Sequence, residues 1–148
     1  MKVFIGALGA VVLAAVALAA QDKSAAAKQD SDTLIQNERA LYDAIAKADK
    51  GAFQALVLPE GIWTTPSSFV PMGPLADGLR SFDLPKWGIE NPRVVWTDGS
   101  SALLLYVRSG GGSFDHHAFA PMTLASTLWT KRSGKWVAVH HQESDLQQ

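Results

Sequence analysis

The sequence predicts an α+β domain in which N-terminal helices cover a curved antiparallel sheet drawn from the C-terminal half of the chain. Three observations point there: apolar residues at helical spacing from Leu34 to Leu56, β-rich runs flanking Asp98-Gly99, and a second pair of runs joined by Ser133-Gly134. The 148 residues, 47% hydrophobic and 18% charged, are enough for one core. Thirteen basic and fourteen acidic residues nearly cancel and form no basic stripe, so attraction to nucleic acid or anionic lipid has little to act on. A sequence without cysteine has no disulfide framework, thiolate nucleophile, Cys-ligated metal or lipobox acylation.

The first element is a leader. One lysine, a long uncharged run of Ala, Val and Leu, and the small-x-small triplet Ala17-Leu18-Ala19 mark residues 1–19 as a signal peptide. The protein is therefore expected to be periplasmic or secreted, with no membrane contact after cleavage. The alternative is an uncleaved anchor, which Gly6, Gly9 and the many alanines make weakly hydrophobic for a permanent span. Residues 20–32 hold no large apolar side chain and read as a flexible tether before a domain at 33–146.

The domain opens with a helix whose start is marked by the capping-box spacing Thr33-Leu34-Ile35-Gln36, with Asp32 as an alternative N-cap. Leu34, Leu41, Ile45, Ala48, Ala52 and Leu56 make one stripe, with a break near Gly51. Glu38 falls on that stripe, where a carboxylate is desolvated unless paired; the plain alternative is a rim glutamate reaching around the helix edge. Ile62 to Thr65 is a short strand, Leu75 to Phe82 a short helix weakened by Gly78, and the stretch through Pro85, Gly88 and Pro92 irregular. Val94–Thr97 and Ser101–Val107 form a hairpin; Gly110-Gly111-Gly112 reads as a flexible connection, lacking the Lys-Ser/Thr of a phosphate loop.

The last hairpin joins Leu124–Arg132 to Lys135–Glu143. With Ser133-Gly134 as its two-residue turn, Trp129 lies opposite Ala138, Leu128 opposite Val139 and Thr127 opposite His140. Trp129, Trp136 and His140 then share one face, and Leu128, Val139, His141 and Glu143 the other. Both faces are partly apolar, which points to a pocket, a partner subunit or both. The Trp129/Trp136 face is expected to form a homodimer contact.

These residues resemble a known family. Asn37-Glu38-Arg39-Ala40-Leu41, then Ala48 to Phe53, and the closing hairpin from Ser126 to Trp136 followed by Val139-His140-His141-Gln142-Glu143 are similar to the NTF2-like (cystatin-like) cone. Within it they are similar to the domain of unknown function 4440 (DUF4440) and SnoaL-like group. The resemblance covers residues 33 to 145 and implies helices packed into the concave side of a curved sheet, a ligand in the open end, and dimers through the other face. Function varies within this fold, from steroid isomerases, polyketide cyclases and dehydratases to noncatalytic binding modules, so shape does not give activity.

The expected role is thus a small-molecule-binding or accessory module with an apolar pocket and no cofactor. Its ligand-binding residues would be Glu38, Tyr42, Trp63, Tyr106, His141 and Glu143, and its partners a small apolar ligand and a second copy of the chain. The alternative is an isomerase, cyclase or dehydratase acting on an apolar carbonyl compound, with a pocket carboxylate as base and a tyrosine holding the developing oxyanion. No catalytic residue is assigned. His140 and His141, neighbours on a regular strand, point to opposite faces, and His116-His117, in a loop after Gly112, has no H-x-H or H-E-x-x-H spacing, so no metal site is expected.

Overall fold

The computed structural model describes the backbone of residues 8–146 and the side chains of residues 25–146. The chain divides into two compact units between Thr33 and Leu34. The signal-peptide reading lies outside the described side chains, and among the described residues no helix is long and apolar enough to cross a membrane.

Helix α1 (Leu8–Ala46) passes through the position where a cap was expected. The hydroxyls of Ser31 and Thr33 donate to the carbonyls of Ala27 and Gln29, one turn back, so Thr33 sits inside the helix. Residues 20–32 are helical too, which corrects the predicted start. The run Ala25-Ala26-Ala27 has the best intrinsic helix propensity, and Lys28 bonds Asp32 at 2.7 Å across one turn.

In the second unit the helix buries Leu34, Glu38, Leu41, Tyr42 and Ile45, which recur at spacings of three and four. Helix α2 (Lys50–Leu56) follows, its N-cap Asp49 accepting from the Ala52 amide at 3.0 Å. Then come β1 (Val57–Thr64), β2 (Phe69–Pro71), and α3 (Met72–Leu75) continued by a 3-10 turn over Ala76–Ser81. The remaining strands are β3 (Phe82–Asp83), β4 (Gly88–Trp96), β5 (Ser101–Ser109), β6 (Ser113–Phe114), β7 (His117–Ala118), β8 (Met122–Arg132) and β9 (Lys135–Asp145).

The main sheet has the order β2-β1-β9-β8-β5-β4. It is mixed rather than purely antiparallel, because β1 lies parallel to β9, and its β1 edge comes from the N-terminal half. Strands β3, β6 and β7 form a separate small sheet. The triple glycine is a packed crossing, not a loose link. Gly110 has φ +103°, and a Cβ there would collide with the Lys86 carbonyl; one at Gly112 would strike the Asp83 carbonyl.

The closing hairpin turns at Ser133 (φ +49°) and Gly134 (φ +79°), both in the left-handed region as a type I′ turn requires. Trp129 pairs with Ala138 as expected, but a β-bulge follows: Leu128 pairs with His140 and Thr127 with His141. One extra residue in β9 inverts the alternation beyond it. The predicted face assignment is corrected accordingly. His141 and Glu143 join Trp129 and Trp136 on the inner face, while His140 points outward and meets Thr64 Oγ1 at 3.0 Å. Trp129 is fully buried in the core, so it cannot be the dimer contact proposed for it. The outer face instead carries Leu103, Leu105, Val107, Leu128, Val137 and Val139, with Leu124 54% exposed.

Candidate functional site

Four elements send polar side chains to one buried place. Glu38 projects from α1, Tyr106 and Arg108 from β5, Thr123, Thr127 and Trp129 from β8, and His141 and Glu143 from β9. On each strand these residues are two or four apart and so share one face, and on β9 the bulge between Ala138 and His141 restores His141 and Glu143 to it.

Glu38 has no exposed surface, and both its oxygens are occupied. Tyr106 donates to Oε1 at 2.7 Å, Thr127 sits 2.8 Å from the same oxygen, and the Trp129 indole donates to Oε2 at 2.8 Å. Thr127 Oγ1 also lies 2.8 Å from His141 Nδ1. Such partners are what a buried carboxyl group requires. Across the cluster, Tyr42 donates to Glu143 Oε1 at 2.6 Å, while Arg108 Nε and Thr123 each donate to Glu143 Oε2 at 2.7 Å. Arg108 donates onward to the carbonyls of Gly110 and Ala120, the latter at 2.9 Å. The two halves meet where Tyr106 and Tyr42 place their hydroxyls 3.0 Å apart.

Electrostatics separate these groups. Burial works against a charge on Glu143, but its contact with His141, then Arg108 and the Tyr42 bond, outweigh it and hold the carboxyl well below the ordinary range. Both phenols are pushed well above their ordinary value, first by burial and then by the neighbouring carboxylates, and so keep their protons. His140, outside the cluster, is lowered by burial and by the adjacent His141.

Of the residues expected to line a pocket, Glu38, Tyr42, Tyr106, His141 and Glu143 are brought together. Trp63 joins them through its ring, 3.8 Å from that of His141. They bond one another, and every buried side-chain polar atom among the described residues has a partner. Sequence reasoning missed Arg108, Thr123, Thr127 and Trp129, and also Trp87, which stacks on Tyr42 at 5.4 Å. Arg108 had a signal: it continues the inward series Ala102, Leu104, Tyr106. His116 and His117 are exposed, and no group of three potential ligands suited to a metal occurs among the described residues. A separate open cleft of about 360 Å³ is lined by Arg80, Ser81, Phe82, Asp83, Ser113, Asp115 and His116.

No family model and no curated protein matches the chain. Solved structures do. An NTF2-like protein from Cytophaga hutchinsonii superposes with a TM-score of 0.72 at 14% identity, over 78% of this chain and 97% of that one. The fold is NTF2-like. The association domain of Caenorhabditis elegans CaMKII shares this NTF2-like fold with a TM-score of 0.64 at 21% identity, over 83% of this chain and 98% of its own. A candidate dehydratase of the NTF2-like family from Streptomyces avermitilis matches at 0.67 and 12%, over 82% of this chain and 99% of that one.

Proposed function

We propose that this chain is an exported NTF2-like module, akin to the DUF4440/SnoaL-like group, that binds a small molecule without transforming it. One observation carries this reading: the buried cluster ends at Glu143, whose side chain is 21% exposed. The half-buried rings of Trp63 and Trp87 lie beside its partners His141 and Tyr42. A ligand with an apolar body and one hydrogen-bond donor suits that edge. Native mass spectrometry of protein purified from its own host should reveal a co-purifying small molecule, lost in Glu143→Gln. Bare protein in both preparations refutes the reading.

The convergence of Glu38, Tyr106 and His141 favours a second reading, an isomerase-, cyclase- or dehydratase-type enzyme using a pocket carboxylate. That chemistry would exchange the α-protons of an apolar ketone with deuterated water, at a rate abolished by Glu38→Gln. The outer sheet face supports self-association, and some fold neighbours are association or hub domains. Leu124→Glu should convert a dimer to a monomer in light scattering; a monomeric wild type removes the dimer.

A further inference from the structure

Five contacts of hydrogen-bond length run through the cluster in series. They join Glu143 Oε1 to the Tyr42 hydroxyl at 2.6 Å, Tyr42 to Tyr106 at 3.0 Å, and Tyr106 to Glu38 Oε1 at 2.7 Å. Glu38 Oε1 then meets Thr127 Oγ1 at 2.8 Å, and Thr127 Oγ1 meets His141 Nδ1 at 2.8 Å. Each contact needs one hydrogen between its heavy atoms. The hydroxyls of Tyr42, Tyr106 and Thr127 supply three, and His141 supplies a fourth through Nδ1. The fifth can sit only on a carboxyl oxygen of Glu38 or Glu143.

We propose that this cluster binds one further proton, carried by the carboxyl group of Glu38 and able to pass to Glu143 through the phenols of Tyr106 and Tyr42. With the proton on Glu38 Oε1, Glu38 donates to Tyr106, Tyr106 to Tyr42, and Tyr42 to Glu143. Shifting each of the three hydrogens along its contact breaks three O–H bonds, makes three, and leaves the proton on Glu143. No electrons are transferred. The path runs from a fully buried carboxyl group to one at the open edge, so the interior can exchange a proton with whatever touches Glu143.

Charge gives an independent reason. The titratable groups facing the two carboxyl groups are Tyr42 from α1, Tyr106 and Arg108 from β5, and His141 from β9; Thr123, Thr127 and Trp129 from β8 and Trp63 from β1 carry no charge. Two carboxylates beside Arg108 would bury a net negative charge, which one proton cancels. Placing it on His141 Nε2 would face Glu143 only across 3.4 Å and leave the tyrosine–tyrosine contact without a hydrogen. The inference stands whether or not a ligand binds.

The test uses the full chain with carboxyl-labelled glutamate at neutral pH, read by infrared and carbon NMR, with nitrogen NMR of His141. The wild type should show one protonated carboxyl group, and Glu38→Gln should abolish it. Glu143→Gln should abolish it as well, although Glu38 remains, because the amide donates into the chain and cancels one charge. The wild-type spectrum alone tests the proton, independently of how either variant folds. Two ionised carboxylates with doubly protonated His141 would overturn the proposal, as would a signal that survives Glu143→Gln.

Discussion

Replacing Arg108 by methionine should expose how the cluster is held together. The guanidinium is 2% exposed and ties Glu143 to the carbonyls of Gly110 and Ala120. Removing one partner of a buried pair costs about 3–5 kcal/mol, because the other charge is left uncompensated. The 21% exposure of Glu143 admits some water and favours the lower end. Two backbone acceptors losing their donor add about 1 kcal/mol each. Arg108→Met should therefore lower stability by about 5 kcal/mol at pH 7, read as a shift in the urea midpoint followed by circular dichroism. The sign with pH is specific. Glu143 is held below the ordinary carboxylate range, so its contribution is full above about pH 4.3 and lost as pH falls below it. The variant has lost the Arg108 share of that contribution, so its deficit should shrink on acidification. A loss below about 1 kcal/mol, or an equal deficit at pH 7 and pH 4, would refute the account, as would additivity with Glu143→Gln in a double-mutant cycle.

The two tyrosines of the chain are Tyr42 and Tyr106, so tyrosinate absorbance reads the cluster alone. Their raised pKa values make the neutral phenols part of the folded state's stability below the ordinary value of about 10, lost as pH rises above it. Tyrosinate should thus appear only together with alkaline unfolding; gradual ionisation in folded protein would contradict the burial. Gly110→Ala forces a side chain into φ +103° against the Lys86 carbonyl and should cost more than about 1 kcal/mol in thermal unfolding. Gly78→Ala, with open space at its Cβ, should be neutral or stabilise by up to about 1 kcal/mol in the same assay.

The fold was legible because its signals are local. The stripe from Leu34 to Ile45 and the alternation in Ser101–Val107 and Leu124–Arg132 each follow from a period of one element. The parallel pairing of β1 with β9 joins residues such as Trp63 and His141, 78 positions apart, and no local pattern encodes it. Glu38 was visible as a carboxylate on an apolar stripe, but its partners lie on other elements. Thr127 and Trp129 read as ordinary strand residues until the sheet folds over the helix. The assignment of His140 to the face of Trp129 and Trp136 failed for a narrower reason: strict alternation was carried past Ala138, where the backbone spends one residue without advancing.

That extra residue has a consequence for deletions. Ala138 and His141 face inward with two outward residues between them, Val139 and His140. A chain one residue shorter there would reach the same inward histidine by ordinary alternation, with an unbroken ladder to β8. Loss of Val139 should therefore spare the interior, whereas loss of Gln142, between His141 and Glu143, would turn Glu143 out to water. Column-by-column matching of a distant, shorter homologue would set its histidine beside His140 and hide the equivalence, so the inward residue must be found by superposing backbones rather than by counting along the chain.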